Sequence, residues 1–268
     1  MQAGKHSYFT YFCKLERKKK HIMQNTRGSF LGMIPTVTKN LLIINVIVFV
    51  AQSVLPRVGV AIEDYLSLHY YASSKFNLVQ VVTYMFLHAD VSHIFFNMFS
   101  LWMFGRILEQ VMGGKRFLFY YISCGIGAAL AQEVVWALTW RSTFIPALAQ
   151  LNNLPISEMT AIVDKAIALG ENLPFLDNMI TIGASGGVFG ILLAFGMLFP
   201  NLPLYLMFIP VPIKAKWMVI GYGVIELLFG ITGTMDSVAH FAHLGGMLIG
   251  LVILLFWKKK GLFGGGYY

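Results

Sequence analysis

The chain has 268 residues, of which 57% are hydrophobic and only 12% are charged. Soluble domains carry about 25% charged residues, so the composition excludes an ordinary soluble domain and predicts an integral membrane protein in contact with the lipid bilayer. The net charge of +8 does not indicate a nucleic-acid-binding protein. The basic residues form short clusters beside apolar runs, which is typical of membrane topology signals.

A helix needs about 20 mostly apolar residues to cross a bilayer, and six segments approach this length. We predict spans at residues 40–56, 89–108, 117–139, 179–199, 215–233 and 237–257. The predicted fold is therefore an all-α bundle of six transmembrane helices in one domain, residues 39–257. It is flanked by a basic tail over residues 1–38 and a second tail over residues 258–268.

The loop between the third and fourth spans, residues 140–178, is long for a membrane bundle. Within it, apolar residues at helical spacing predict a short amphipathic helix on the outer membrane surface. We expect Ser157 to be its N-cap and Gly170 to end it.

The lysine and arginine residues predict the direction of the spans. If six spans alternate, 16 of the 20 basic residues fall on one side of the membrane. The positive-inside rule then places both termini in the cytoplasm. We expect a multi-pass protein of a bacterial inner membrane.

Polar residues lie early in the three spans that run from outside to inside. These residues are His93 and Asn97 in span two, Ser185 in span four, and His240 and His243 in span six. At a rise of 1.5 Å per residue, each lies about 6–14 Å below the outer end of its span. A serine, an amide and imidazoles are therefore expected at a common depth, near the external face.

Ser185 stands between glycines in an apolar segment, and it becomes a nucleophile only if a base and oxyanion donors are close. His240 and His243 are the candidate bases. His243 is followed by Gly246 and Gly250, and small residues four apart allow a helix to approach another closely. We therefore expect His243 to be the base.

The pattern Gly183-x-Ser185-x-Gly187 also matches the nucleophile elbow of α/β-hydrolases. That motif requires a strand-to-helix turn within a parallel sheet. Both flanks of Ser185 are predicted to be apolar helix here, so the α/β-hydrolase fold is excluded.

His93 and Asn97 are four residues apart, so they lie on one helix face and can donate hydrogen bonds to an oxyanion. Interhelical hydrogen bonding is the alternative interpretation. A metal site built from His88, His93, His240 and His243 is a further alternative. We expect no metal, because the H-E-x-x-H pattern is absent and no carboxylate accompanies these histidines in the sequence.

Glu226 is the carboxylate deep in a predicted span, the fifth. An acid inside a membrane is by default a functional candidate. Two interpretations remain open at this point: a role in proton transfer or gating, and a hydrogen-bonded or protonated packing residue.

The ordered set of motifs resembles the rhomboid family of intramembrane serine proteases over about residues 38–257. The motifs are His93-x-x-x-Asn97 in span two, Gly183-x-Ser185-Gly186 in span four, and Ala242-His243-x-x-Gly246-x-x-x-Gly250 in span six.

This resemblance implies a six-helix bundle with a Ser-His dyad and no acidic third member. Ser185 would be the nucleophile and His243 the general base, while His93, Asn97 and the Ser185 backbone N–H would stabilise the oxyanion. Phe189 would pack on the ring of His243. The substrates would be single-span membrane proteins, cut near the external face without a cofactor.

Two other classes of function compete with that of a protease. A catalytically inactive relative that binds transmembrane segments should lack the serine or the histidine, and this chain retains both. A transporter should show inverted repeats with broken helices, and the sequence shows none.

Overall fold

The computed structural model describes residues 34–206, 209–233 and 239–262, so most of both predicted tails lies outside the described residues. The longer helices are α1 Thr36–Val54, α2 Val91–Met112, α3 Gly114–Leu151, α4 Ile156–Ala168, α5 Ser185–Leu198, α6 Ala215–Thr232 and α7 His240–Lys259. A π-helical turn, Leu101–Gly105, interrupts α2. Short helical turns cover Leu55–Val58, Glu63–Leu66, Gln80–Thr83, Tyr84–Phe86 and Pro174–Asn178.

Two small antiparallel strand pairs accompany the helices. Strand β1, Leu68–His69, pairs with β2, Ile180–Thr181. Strand β3, Pro203–Leu206, pairs with β4, Ile209–Lys214. Helices α1, α2, α3, α6 and α7 are long and apolar enough to cross a membrane, and α5 is an apolar helix of 14 residues. The prediction of a mainly helical integral membrane protein is therefore confirmed.

The predicted start of the loop after the third span is wrong. Helix α3 does not stop at residue 139 but continues through Pro146 to Leu151, a length of 38 residues. At 1.5 Å per residue the helix is about 57 Å long, whereas the hydrocarbon core of a bilayer is about 30 Å thick. The first part of the predicted 140–178 loop is thus a continuation of α3.

The amphipathic helix predicted in this segment is α4, and it packs its apolar face on the extension of α3. Buried Met159 and Val163 belong to a cluster with Trp140 and Ile145 of α3. Gly170, with a φ of +70°, follows the end of α4 as predicted. The predicted cap is wrong, because α4 begins at Ile156 after Pro155 and has no side-chain cap.

The start of the fourth span is also wrong. Helix α5 begins at Ser185, not at residue 179, because residues 180–181 form β2. Gly183 has a φ of +134°, a conformation that favours glycine and stops the helix from extending backwards. Ser185 therefore lies at the start of a helix, after a short strand, and not within a continuous apolar helix.

Helices α3, α5 and α7 pack together at the centre of the bundle. A methyl group at Gly246 of α7 would overlap the backbone carbonyl of Gly186 in α5, and one at Gly190 would overlap the sulfur of Cys124 in α3. Gly250 likewise lies against the hydroxyl of Tyr120. The predicted close approach through small residues is confirmed.

Glu109 of α2 caps the N-terminus of α1. Its Oε1 accepts from the Val37 N–H at 2.9 Å, and its Oε2 accepts from the Thr38 N–H at 2.7 Å and from the Thr38 hydroxyl at 2.8 Å. Helix α1 begins after Pro35 and has no local side-chain cap. The first N–H groups of a helix need such acceptors, so this buried carboxylate fixes α1 to the bundle.

Replacing Gly246 with alanine should push α7 away from α5 and destabilise the protein by about 1–3 kcal/mol, the usual cost of overpacking. The thermal unfolding midpoint in detergent measures this effect. Gly221→Ala is the matched control: Gly221 lies inside α6, and a methyl group there meets no other atom within 4 Å. That substitution should leave the midpoint unchanged or raise it, because alanine favours helix by about 0.5–1 kcal/mol over glycine.

Removing the Glu109 side chain leaves three donors without their acceptor, the two of Thr38 buried and that of Val37 half-buried. Glu109→Ala should therefore cost about 2–4 kcal/mol, and Glu109→Gln, which retains one acceptor oxygen, should cost less. Thermal unfolding in detergent measures both variants, with Glu171→Ala on the exposed surface as the control. Equal midpoints for Glu109→Ala and the control would contradict the capping role.

Candidate active site

Ser185 and His243 meet at the start of α5 and α7. The serine Oγ and the histidine Nε2 lie 2.7 Å apart, although the residues are 58 positions apart in the chain. The contact of Gly246 with Gly186 brings the two helices close enough for this. Phe189, one turn after Ser185, stacks on the imidazole with a centroid separation of 4.3 Å and an interplanar angle of 7°.

The two histidines of α7 face different surroundings. His243 and Ser185 line one cavity of about 560 Å³. His240 lines a separate cavity of about 550 Å³ instead, together with Phe229 and Trp140. The structure therefore brings His243, and not His240, to the serine hydroxyl.

A carboxylate contacts both histidines. Glu226 of α6 places its Oε2 at 2.9 Å from Nδ1 of His243 and at 2.7 Å from Nδ1 of His240. Its side chain is only 12% exposed. This corrects the expectation that no acid accompanies the histidines, because the acid comes from a different helix, 14 and 17 residues earlier in the chain.

The histidines do not form the four-membered metal cluster considered from the sequence. His88 and His93 pack ring against ring with centroids 5.1 Å apart. Within the described ranges, the ligand atoms close enough to share one ion belong to Glu226, His240 and His243, and these atoms lie within 4.8 Å of one another.

His93 lines the cavity that contains Ser185. Its Nδ1 accepts a hydrogen bond from the Ala89 N–H at 3.3 Å, so the neutral ring carries its proton on Nε2. That Nε2 faces Gly183, where an added Cβ would lie 2.8 Å away. The ring therefore presents a donor to the cavity, and Gly183 leaves the space that the ring needs.

Asn97 lies one turn after His93 and is 6% exposed. Its amide nitrogen has no hydrogen-bond partner among the described residues. An unsatisfied buried donor costs about 1–3 kcal/mol. Asn97 is not among the described residues that line the cavity, but it holds an available donor behind His93.

Sequence reasoning missed Asp90 and Tyr84, which also line the cavity. Asp90 is the N-cap of α2, and its Oδ1 accepts from the His93 N–H at 2.8 Å and from the Ser92 hydroxyl at 2.6 Å. An aspartate directly before an apolar helix is a typical cap signal, so Asp90 was predictable. The Tyr84 hydroxyl donates to the Gly125 carbonyl at 2.7 Å. No local sequence pattern indicates this role of Tyr84.

The fold and this site can be compared with known proteins. A family model described as Rhomboid domain matches residues 75–260, more than half of the chain. The chain belongs to the rhomboid family. The three motifs of the sequence analysis all fall within the matched region.

Rhomboid relatives come from three different organisms. The chain is 30% identical over 213 residues to Rhomboid protein 1, mitochondrial, of Saccharomyces cerevisiae, covering 79% of this chain and 50% of that protein. It is 26% identical over 201 residues to Rhomboid-like protein 11, chloroplastic, of Arabidopsis thaliana, covering 67% and 52%. It is 34% identical over 55 residues to Rhomboid protease GluP of Bacillus subtilis, covering 20% and 11%. The chain thus spans about half the length of the first two relatives.

The loop before α2 of the rhomboid domain is fixed to α1 through Gln52. Its Oε1 accepts from the His88 N–H at 3.0 Å, and its Nε2 donates to the His88 carbonyl at 3.3 Å. Burial, with a further contribution from the neighbouring His93, lowers the pKa of the His88 side chain to about 4. The ring is therefore neutral around neutral pH.

The lowered pKa of His88 predicts that acid destabilises the rhomboid domain. Between about pH 6.5, the ordinary histidine value, and pH 4 the unfolded chain binds the proton and the folded ring does not. The contribution of His88 to the free energy of unfolding is complete above pH 6.5. It is lost as the pH falls towards 4, and the loss is of order 3 kcal/mol.

Thermal unfolding in detergent between pH 7.5 and 4.5 tests this expectation. The fall in the midpoint should be smaller for His88→Gln than for the wild type, because glutamine does not titrate. Parallel curves for the two proteins would show that His88 does not contribute to the acid sensitivity.

Proposed function

We propose that this rhomboid-family protein is an intramembrane serine endopeptidase with Ser185 as nucleophile and His243 as general base. The separation of 2.7 Å between the serine Oγ and the histidine Nε2 carries the proposal. This is the distance over which an imidazole removes the proton of an attacking hydroxyl.

In the proposed reaction, the Ser185 Oγ attacks the carbonyl carbon of a peptide bond while its proton passes to Nε2 of His243. The tetrahedral intermediate then collapses: the C–N bond breaks, and His243 returns the proton to the leaving amine. A water molecule, deprotonated in turn by His243, hydrolyses the acyl-enzyme and restores the serine.

The developing oxyanion needs preorganised donors. The Nε2–H of His93 points into the cavity beside Ser185, and the Ser185 backbone N–H is free because it belongs to the first turn of α5. The buried amide of Asn97 has no partner among the described residues. We propose these three groups as the oxyanion hole, with Asn97 reaching the oxyanion when substrate is bound.

The substrates we propose are transmembrane segments of single-span membrane proteins. The cavity lies at the N-terminal ends of α2, α5 and α7, and the distribution of basic residues assigns these ends to the external side. Cleavage would then occur near the external face, with both termini of the bundle in the cytoplasm. A bacterial inner membrane remains our prediction for the location, although two of the named relatives are mitochondrial and chloroplastic.

An inactive rhomboid that binds transmembrane segments without cutting them is the alternative. Such a protein has no need of a hydrogen bond between a serine and a histidine that a third ring holds in place. The contact of Ser185 with His243, stacked on Phe189, therefore favours the protease.

Cleavage of a model single-span substrate in liposomes tests this proposal. Ser185→Ala and His243→Ala should each lower the cleavage rate by at least about 10³-fold, because each removes a reacting group. His240→Ala should retain most of the activity, because His240 lines the other cavity.

Labelling with a fluorophosphonate probe separates the protease from the inactive binder. The wild type should react at Ser185, and Ser185→Ala should not. Equal cleavage by the wild type and Ser185→Ala, or a wild type that neither cleaves nor reacts, would contradict the proposed function.

A further inference from the structure

Glu226 is the acid whose purpose the sequence left open, and its contacts define the state of His243. Its Oε2 lies at hydrogen-bond distance from Nδ1 of both His243 and His240. A carboxylate only accepts hydrogen bonds, so both Nδ1 atoms carry protons. Nε2 of neutral His243 is then left with a lone pair, and this atom faces the Ser185 hydroxyl.

We propose that Glu226 is a positioning residue that completes a Ser185–His243–Glu226 triad, an inference that rests on the proposed function. It holds His243 in the tautomer that accepts the serine proton, and it stabilises the imidazolium that forms during attack. During attack the proton moves from the serine Oγ to the histidine Nε2 and does not pass on to Glu226. Glu226 stays ionised throughout and exchanges no proton.

The stacking of Phe189 does not supply this orientation by itself. A ring flip of 180° about the Cβ–Cγ bond of His243 leaves the imidazole parallel to Phe189, with the same stacking distance. The flip exchanges Nε2 with Cε1 and Nδ1 with Cδ2, so the atom facing Ser185 would become a carbon. Only a specific acceptor on the Nδ1 side selects the productive orientation, and Glu226 is placed there.

His240 explains how an ionised carboxylate can persist at this position. A buried charge is costly unless it is paired and hydrogen-bonded. His240 donates to the same oxygen that His243 uses, at 2.7 Å. His240 therefore provides a hydrogen bond that stabilises the charge of Glu226 during the steps in which His243 changes its own charge.

A metal ion bound by the same three residues is the competing interpretation. A tetrahedral zinc ion with nitrogen and oxygen ligands at about 2.0–2.1 Å would hold those atoms roughly 3.3 Å apart. The observed separations of 2.7 and 2.9 Å between the Nδ1 atoms and Oε2 are hydrogen-bond distances instead. The geometry thus favours shared protons over a shared ion.

The pH dependence of catalysis reports on the charge that faces His243. Glu226 comes from α6, and His240 from α7, the helix that carries His243. The other titratable side chains that line the cavity of Ser185 and His243, among the described residues, are those of Tyr84, Asp90 and His93. The carboxylate of Asp90 is held by the first turn of α2. From α3, the Tyr120 hydroxyl and the Cys124 thiol both lie against Gly250 of α7, seven residues beyond His243.

The pH profile of kcat/KM between pH 5 and 9, with a model single-span substrate in liposomes, tests the proposal. Glu226→Gln should lower the plateau by about 10²–10⁴-fold. It should also move the acid limb to lower pH, because the protonated imidazole loses its counter-charge. A residue that only supports packing would lower the plateau without moving the limb. The rate of fluorophosphonate labelling of Ser185 should show the same two changes.

Three controls make the result specific. Glu133→Gln changes an acid in α3 that accepts from the Tyr71 N–H, so its profile should match the wild type. His240→Ala removes one of the two donors to Glu226 and leaves the other, so it should move the acid limb less than Glu226→Gln does. If Glu226→Gln does not fold, Glu226→Asp provides the test. It keeps the negative charge on a shorter side chain, so the acid limb of its pH profile should lie where the wild-type limb lies.

Each result supports or overturns the proposed triad. If Ser185→Ala is inactive and the pH profile of Glu226→Gln matches the wild type, the role of Glu226 is overturned and the proposed function stands. A folded Glu226→Asp with a shifted acid limb has the same consequence. Loss of wild-type cleavage in EDTA with recovery in zinc also overturns it, since Glu226 would then be a metal ligand. A wild type that neither cleaves nor labels overturns both proposals.

Discussion

The contact between the backbones of α5 and α7 at Gly186 and Gly246 determines the rest of the site. Ser185 and His243 come from different helices, so the separation of 2.7 Å between their side-chain atoms is set by the spacing of the helices. Any side chain at Gly246 would widen that spacing. The stacking of Phe189 and the donor at His93 are useful only once this contact is made, because both act on a histidine and a serine already within reach of each other.

Two carboxylates, those of Glu109 and Glu226, each accept hydrogen bonds from a neighbouring helix. Glu109 of α2 accepts three hydrogen bonds from the start of α1, and Glu226 of α6 accepts two from α7. Both carboxylates are largely buried, and a buried charge is costly unless it is hydrogen-bonded, so each is satisfied by donors of a neighbouring helix. One of the two stabilises the bundle, whereas the other touches the histidine that faces Ser185.

Much of this arrangement could be predicted from the sequence because it depends on local patterns. Apolar runs predicted the membrane helices, and Gly246 and Gly250 predicted which face of α7 packs closely. The start of α5 was missed because it lies within an apolar run, and hydropathy carries no information on backbone conformation. The φ of +134° at Gly183 prevents the helix from beginning earlier. The partner of Glu226 was missed because the pairing crosses from α6 to α7, and the spacing of 17 residues belongs to no local motif.

Three helices, α2, α5 and α7, begin at the cavity that holds Ser185. The start of a helix carries a partial positive charge of roughly half an elementary unit, so three such ends converge on the place where the serine would attack. Their combined field favours negative charge there before any side chain is counted. Tetrahedral anions such as phosphonates should therefore be held more tightly at this end of the bundle than neutral compounds of the same shape.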